Sequence, residues 1–513
     1  MSRTARAATD KKQQDKKASP KRVGVIGAGI GGLTAAARLA ADGHEVMLWE
    51  KNDAPGGKMN QIEKDGYRFD TGPSLFTMPF VLEELFSYCG RNVYDYLDLR
   101  PVEPLCRYFW QDGTRFDASV NLQKTLEQLE HIAPEDAEAY IKFLGYSADL
   151  YQKTADTFIM NPLQTMRDLK SLKKSDVFRI DAFPTVSTRV NRSFKSPYLR
   201  QVFKRFATYN GSSPYLAPAT INVIAYIELC TGGYYVKGGL YQIALALEKL
   251  CRELGVKMEF GKEIRRIMVE KGAARGVEFT GDEPAVRTDV LFSNSDATFT
   301  YTRLLPDGAL KKRQKQRISN IEPSCSGFVL LLGTDRKFDK LGHHTIFFSR
   351  DYEKEFDEIF QRKKLPEDPT IYVANTSYSD PGHAPEGGSN LFILINAPYL
   401  STSVKWDEER AREYGNLIIH KLENQGLEGL SESIRVREHI TPQEFYDVYR
   451  SNRGSIYGTS SNQQLSAFLR PRNKSPYIDQ LYMVGGSTHP GGGIPLVMMS
   501  ARHAVTIFNR SEA

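Results

Sequence analysis

Three glycines, Gly27, Gly29 and Gly32, stand in G-x-G-x-x-G spacing, and a carboxylate, Glu50, follows about twenty residues on. In such a pattern the first glycine permits a tight turn and the second lets the backbone approach a pyrophosphate. The third lets a helix pack closely on a strand. The unpaired N–H groups and positive dipole end at the start of that helix suit phosphate oxygens. Glu50 can accept hydrogen bonds from a ribose 2′-OH, and an acid there disfavours a nucleotide carrying a 2′-phosphate. The chemistry indicated is the binding of a dinucleotide.

These residues need a strand, a turn, a helix and a second strand to hold them. Val23, Val25 and Ile26 supply a β-branched strand, and the small residues Ala35–Ala41 supply a helix that breaks at Asp42-Gly43. His44–Glu50 then reads as the second strand, with the carboxylate at its end.

Lys51-Asn-Asp-Ala-Pro-Gly-Gly-Lys58 continues from the acid, followed by Gly66-Tyr-Arg-Phe-Asp-Thr-Gly-Pro-Ser74. An acid leading into G-G-(K/R) resembles the flavin proteins related to amine oxidases and phytoene desaturases. In that group the second glycine pair and its basic residue, here Gly57 and Lys58, lie against the diphosphate. The segment around Asp70 resembles the carotenoid desaturases in particular, the bacterial and fungal phytoene and diapophytoene desaturase family of FAD-dependent oxidoreductases. Further segments resemble that family. They are Val286–Ser295, which reads as one strand, with Asp296-Ala297, the stretch Arg205–Thr220, and Tyr234–Gly239. Leu481–Pro495 resembles its closing flavin motif, where Gly485 and Gly486 would admit the cofactor. The amides of Gly492, Gly493 and Ile494 would there meet flavin oxygens. The resemblance spans residues 22–505.

It implies FAD and an α/β fold: a discontinuous Rossmann-like FAD-binding domain with an inserted α+β substrate domain. The expected boundaries are a disordered tail over 1–21, an FAD-binding domain over 22–75, 235–300 and 475–510, and a substrate domain over 76–234 and 301–474. At 513 residues the chain is too long for one growing core. The runs Phe328–Leu332, Thr370–Ala374 and Leu391–Ile395 read as strands of a mixed sheet, with Arg362–Pro369 and Ser379–Gly388 as loops.

Composition narrows the class. With 41% hydrophobic and 25% charged residues, and no apolar run of spanning length, the chain reads as globular. Five scattered cysteines suggest reduced thiols in a cytoplasmic protein. The nine histidines form no ligand cluster, so no metal is expected, and His343-His344 reads as surface polarity. The net charge is +6, but Arg167–Arg205 alone holds eleven Lys/Arg against three Asp. Leu163, Met166, Leu169, Leu172, Phe178, Phe183, Phe194, Leu199, Val202 and Phe203 interleave with them. This mixture suits peripheral attachment to an anionic membrane surface, or a solvated helical face over core contacts. No recognised motif for nucleic acid accompanies it.

The activity implied by the resemblance is removal of two hydrogens from an acyclic carotenoid, with the flavin taking the hydride. A polyene has no polar handle, so an apolar tunnel must position it. Loss of hydride leaves a resonance-stabilised cation that needs only a weak base. Glu228, in the apolar stretch INVIAYIELC, is the candidate, because a carboxylate among apolar residues has a raised pKa and can exchange protons near neutral pH; a buried structural carboxylate or a helix-end charge is the alternative. Tyr209, Asn210 and His489 are candidates for the substrate pocket, with packing roles as the alternative.

Asn210–Pro214 and His489–Gly493 look closer to members acting near polyene ends, including hydroxycarotenoid desaturases and diapocarotenoid terminal-methyl oxygenases. Many phytoene desaturases read His-Pro-Gly-Ala-Gly at the second place. Further readings are an amine oxidase-like flavoenzyme and a non-catalytic prenyl-binding protein resembling the GDP-dissociation inhibitors.

Overall fold

The computed structural model describes residues 19–164, 180–402, 404–462 and 470–512. Two sheets organise it, and we number only their strands. The first half contains β1 (Arg22–Ile26), β2 (Glu45–Trp49), β3 (Cys106–Phe109) and β4 (Arg115–Ala118). Next come β5 (Lys257–Glu259), β6 (Val290–Ser293), β7 (Ser326–Thr334) and β8 (His344–Phe347). The last are β9 (Ile371–Asn375), β10 (Ser389–Ala397), β11 (Ile434–Ile440) and β12 (Leu481–Met483). Four helices bear on the site: α1 (Ile30–Ala41), α2 (Pro197–Arg205), α3 (Val223–Leu229) and α4 (Ile494–Glu512).

The first sheet runs β12-β6-β1-β2-β5 and is parallel throughout. A parallel sheet is covered on both faces, which explains why Val23–Ile26 of β1 and all of β6 are buried. Helix α1 packs its Leu33, Ala35–Ala37 and Leu39 in one core with Met498, Ala501 and Val505 of α4. Because the alanines are small, the two helices can approach closely. The five strands come from three separated stretches of chain, which makes this a discontinuous Rossmann-like unit.

The second sheet runs β11-β7-β10-β9-β8-β3-β4 and is antiparallel except where β8 lies beside β3. All nine residues of β7 are buried, as befits a strand between two others and covered on both faces. The sequence-predicted strands fall within or at the edge of β7, β9 and β10, in segments inserted between parts of the first sheet. The fold is therefore an α/β Rossmann-like unit carrying an inserted α+β unit.

Several details differ from the sequence reading. Val286–Ser295 forms two strands, because Val286–Arg287 joins an antiparallel sheet with Ala273–Phe279 while β6 joins the parallel one. The hairpin Gln61–Lys64/Tyr67–Asp70, expected with the nucleotide unit, packs Tyr67 and Phe69 against Val329 and Leu331 of the second sheet. Conversely, helix Phe80–Tyr88, expected with the inserted unit, buries Val81, Leu82, Leu85 and Phe86 in the core of α1. Apolar surface, not position along the chain, decides where these segments dock.

Residues 1–18 of the expected tail and 165–179 of the basic run, with Lys173, Lys174 and Arg179, lie outside the described residues. In the remainder of that run Phe194, Leu199, Val202 and Phe203 are buried core residues and cannot face a membrane, whereas Phe183 is exposed. Among the described residues no helix is long and apolar enough to cross a membrane.

Candidate active site

One cavity of about 480 Å³ joins the two units. At one end its wall is the glycine turn between β1 and α1. Gly27 has φ +91°, a conformation open to glycine at little cost. Gly29 caps α1 without a side-chain hydrogen bond, so the first-turn N–H groups keep their donors for something else. Gly32 does not line the cavity. A Cβ there would overlap the carbonyl oxygen of Gly27, so its role is close packing of helix on turn.

Asn294, just after β6, sits at the centre of this turn. A Cβ on Gly29 would come 2.6 Å from its Nδ2, one on Gly31 2.5 Å from its Oδ1, and one on Gly485 2.8 Å from that same oxygen. Only glycines leave room for an amide wedged between two loops. The segment containing Asn294 is recognisable in the sequence, but its part in shaping the site emerges only from the contacts.

Glu50 lies at the end of β2, buried in the cavity wall. Its Oε2 accepts from the Ala28 N–H at 2.7 Å and its Oε1 from the Asn52 N–H at 2.9 Å. Burial pushes its carboxyl above the usual range, against the two backbone donors that favour the charged form. The second glycine pair docks on the first turn: Gly56 donates to the Ala28 carbonyl at 2.8 Å, and a Cβ on Gly57 would lie 3.4 Å from Gly29 Cα.

Lys58 lines the same cavity, but its ammonium is directed to protein groups. It donates to the carbonyls of Ser455 at 2.9 Å and Ile456 at 3.2 Å, rather than standing free for a diphosphate. Burial lowers it to about 8, opposed by the nearby charge of Asp296. Asp296 itself accepts from the Thr298 N–H at 2.8 Å, and burial raises its carboxyl. Gly485, Gly486, Gly492, Gly493 and Ile494 continue the wall beside the start of α1, where helix α4 begins.

The other end of the cavity lies on the second sheet. Val329 of β7, Phe392 and Leu394 of β10, and Ile346 of β8 give an apolar floor. Tyr209 and Glu228 line the cavity there, but Glu228 is not the solitary acid that its sequence context suggested. Its Oε1 accepts from Arg205 Nη2 at 2.6 Å, and its Oε2 accepts from the Tyr209 hydroxyl. With a buried arginine as partner, the reason for casting it as a proton-accepting base is lost.

Asn210 and His489 are absent from the wall. The Asn210 amide donates to Ser461 Oγ at 2.6 Å, and its oxygen accepts from Arg470 at 2.5 Å. His489 is buried, stacks on His503 with centroids 5.5 Å apart, and lies 3.2 Å through Nε2 from the Asn161 carbonyl. Burial holds its imidazole down at about 4. Both residues brace the loops behind the wall.

His343-His344 is the reverse case, since both rings are buried rather than at the surface. His344 lies on β8, which is flanked by β9 and β3 and covered on both faces, and His343, just before the strand, is buried against Tyr235. His344 lines the cavity. Among the described residues no group of His, Cys, Asp and Glu could hold a metal ion.

The residues present fit a flavin dinucleotide. A glycine cradle that any Cβ would fill, an uncapped helix start and a buried carboxylate beside it suit a diphosphate flanked by a ribose. The apolar floor then adjoins the far part of the same cavity.

Known proteins agree. The model of the family "Flavin containing amine oxidoreductase" matches residues 30–507. The chain is 37% identical to a 4,4'-diapolycopene oxygenase of Methylomonas sp, over 94% of this chain and 96% of that protein. It is also 37% identical to a 1-hydroxycarotenoid 3,4-desaturase of Flavobacterium sp. (strain P99-3), over 95% and 99%. A 4,4'-diaponeurosporene oxygenase of Staphylococcus haemolyticus is 34% identical over 96% and 98%. Among solved structures, an oxidoreductase from Methanosarcina mazei has TM-score 0.60 at 17% identity, covering 94% of this chain and all of that one. Putrescine oxidase bound to putrescine has TM-score 0.61 at 15% identity, covering 96% and 99%, and so shares the fold.

Proposed function

Since this chain belongs to the family of flavin-containing amine oxidoreductases, and is an FAD-dependent oxidoreductase, we propose that it desaturates an acyclic carotenoid-like polyene. The observation that carries this reading is the single cavity, which runs from the glycine cradle onto the apolar floor of the second sheet. The names of the similar proteins, all acting on carotenoids, support the substrate class.

When bound, FAD supplies the two-electron acceptor for the hydrogens removed. The protein's share is positioning. The N–H groups at the start of α1 and the Gly492–Ile494 turn hold the dinucleotide, and Glu50 orients its ribose. Phe392, Leu394, Ile346 and Val329 hold an extended hydrocarbon by contact alone and exclude water from the reacting bond. Glu228, the acid on the chamber side, is paired with Arg205 and Tyr209, which suits a substrate whose cation is stabilised by its own conjugation. Attachment to a membrane surface and cofactor contacts by Gly27, Gly29, Gly57, Gly485, Gly486, Gly492 and Gly493 form part of this proposal.

A second reading is oxygenation at the polyene end, favoured by the oxygenase names of most of the similar proteins. The purified protein, reconstituted with FAD and given acyclic polyenes, separates them by product mass. Loss of hydrogen pairs supports desaturation, gain of oxygen supports the second reading, and turnover of soluble amines alone refutes both.

A further inference from the structure

Segment 447–456 belongs to the inserted unit by its backbone. It leaves the helix Pro442–Tyr449 and turns at Arg450, Arg453 and Gly454, where φ is 52°, 50° and 69°. The Arg453 carbonyl accepts from the Leu400 N–H at 2.8 Å and the Gly454 carbonyl from Ser326 Oγ at 2.6 Å. The Ile456 N–H donates to the Cys325 carbonyl at 3.2 Å.

The side chains that tie it down come instead from the nucleotide unit, on loops that follow β2, β5 and β6. Lys51 Nζ donates to the Asp447 carbonyl at 3.0 Å, and Glu263 pairs with Arg450 at 3.1 Å. The Asn452 N–H helps hold Asp296 in its charged form against burial. Lys58 Nζ donates to the carbonyls of Ser455 and Ile456. The segment is thus stitched at 447, 450, 452 and 455–456. All four tying side chains line the cavity, and so do Glu50, Arg450, Ser451 and Ile456.

The ties differ in strength from one end to the other. Lys58 and Asp296 are withdrawn from solvent, where a charge-assisted hydrogen bond is strong and its loss leaves a charge unmatched. The Arg450 and Glu263 side chains are 33% and 41% exposed, so their attraction is weak and screened. Arg450 also holds a left-handed backbone, which a non-glycine residue keeps only where its surroundings fix it. This looser end adjoins Glu50, since Lys51 feels the charges of Glu50, Glu263 and Arg450 together.

We propose that residues 447–456 form a strap that retains FAD, with Lys58 positioning the strap instead of contacting the diphosphate and the Arg450–Glu263 pair serving as its clasp. The strap depends on FAD as the cofactor and is independent of which polyene is oxidised.

The test follows FAD release from the loaded enzyme as flavin fluorescence after dilution. Glu263→Arg, which sets two cations at the clasp, is expected to speed release by roughly threefold to tenfold. Adding Arg450→Glu restores opposite charges and should return the rate to within about twofold of wild type. An unchanged rate in Glu263→Arg overturns the strap. A double variant as fast as the single one also overturns it, because Glu263 would then act on the cofactor directly. At saturating FAD, Lys58→Met should make the amides of 454–457 exchange hydrogen roughly tenfold faster or more. Weakened FAD binding with unchanged exchange there would make Lys58 a diphosphate ligand and overturn its positioning role. The clasp variants change partly exposed side chains, so they decide the matter even where Lys58→Met does not fold.

Discussion

The cofactor cradle and the substrate chamber share one cavity but are built by opposite means. The cradle is backbone: Gly27, Gly29, Gly31 and Gly485 crowd around Asn294, and its donors are the N–H groups of a helix start. The chamber is side chain: an Arg205–Glu228 pair, a histidine and several tyrosines, stacked on an apolar sheet. The first is limited by steric room and the second by electrostatic balance. Substitutions in the two regions should therefore fail in different ways.

The largest effect is expected from Gly32→Val, where the new Cβ overlaps the Gly27 carbonyl and displaces α1 from the turn. Overpacking against backbone costs several kcal/mol, and the purified variant should carry no flavin band. A variant with full flavin content would show that the cradle is not limited by room.

Glu228→Gln comes next. It leaves Arg205 buried without its counter-charge, which is expected to destabilise the fold by about 3–5 kcal/mol in chemical denaturation. Unchanged stability with a large fall in kcat would restore a proton-accepting role and blur the contrast.

Acid should act on buried histidines behind the cavity wall. Burial lowers His343 and His503 to about 3 and His489 to about 4, from the ordinary 6.5. The unfolded chain then binds more protons than the folded one below pH 6.5, so stability is full above that value and falls as pH drops toward about 4. His489 alone contributes roughly 3 kcal/mol to that loss. Replacing His489 with Gln should flatten the denaturation midpoint's dependence on pH across this window, and an unaltered slope would contradict it.

The smallest effect belongs to Asn210→Ala. The side chain braces Ser461 and Arg470 behind the wall, so kcat/KM is expected to move by about twofold or less, with a modest loss of stability. A change of selectivity between polyenes would place Asn210 in the chamber after all.

Legibility in the sequence follows the same division. The glycines and Glu50 could be read because the cradle is local: strand, turn and helix are contiguous, and glycine is there for steric reasons that spacing reveals. Gly485–Ile494 was legible for the same reason. The chamber is assembled from residues far apart, such as Arg205, His344 and Tyr372, whose partners no spacing announces. His343-His344 looked like surface polarity because an adjacent polar pair ordinarily sends at least one side chain outward. In β8 both faces are covered. Glu228 stood out among apolar neighbours, but its partner Arg205 lay one helix earlier, within a basic run that drew attention to the surface. Lys58 was legible as part of a motif, while its carbonyl partners, Ser455 and Ile456, lie nearly four hundred residues away.

The claim that cradle and chamber serve one reaction is tested most directly by anaerobic spectroscopy of the FAD-loaded protein with an acyclic polyene as sole reductant. Bleaching of the flavin band, with a product lacking two hydrogens, is the expected result. A flavin band that stays unchanged with bound polyene, and bleaches instead with a soluble amine, would contradict the account.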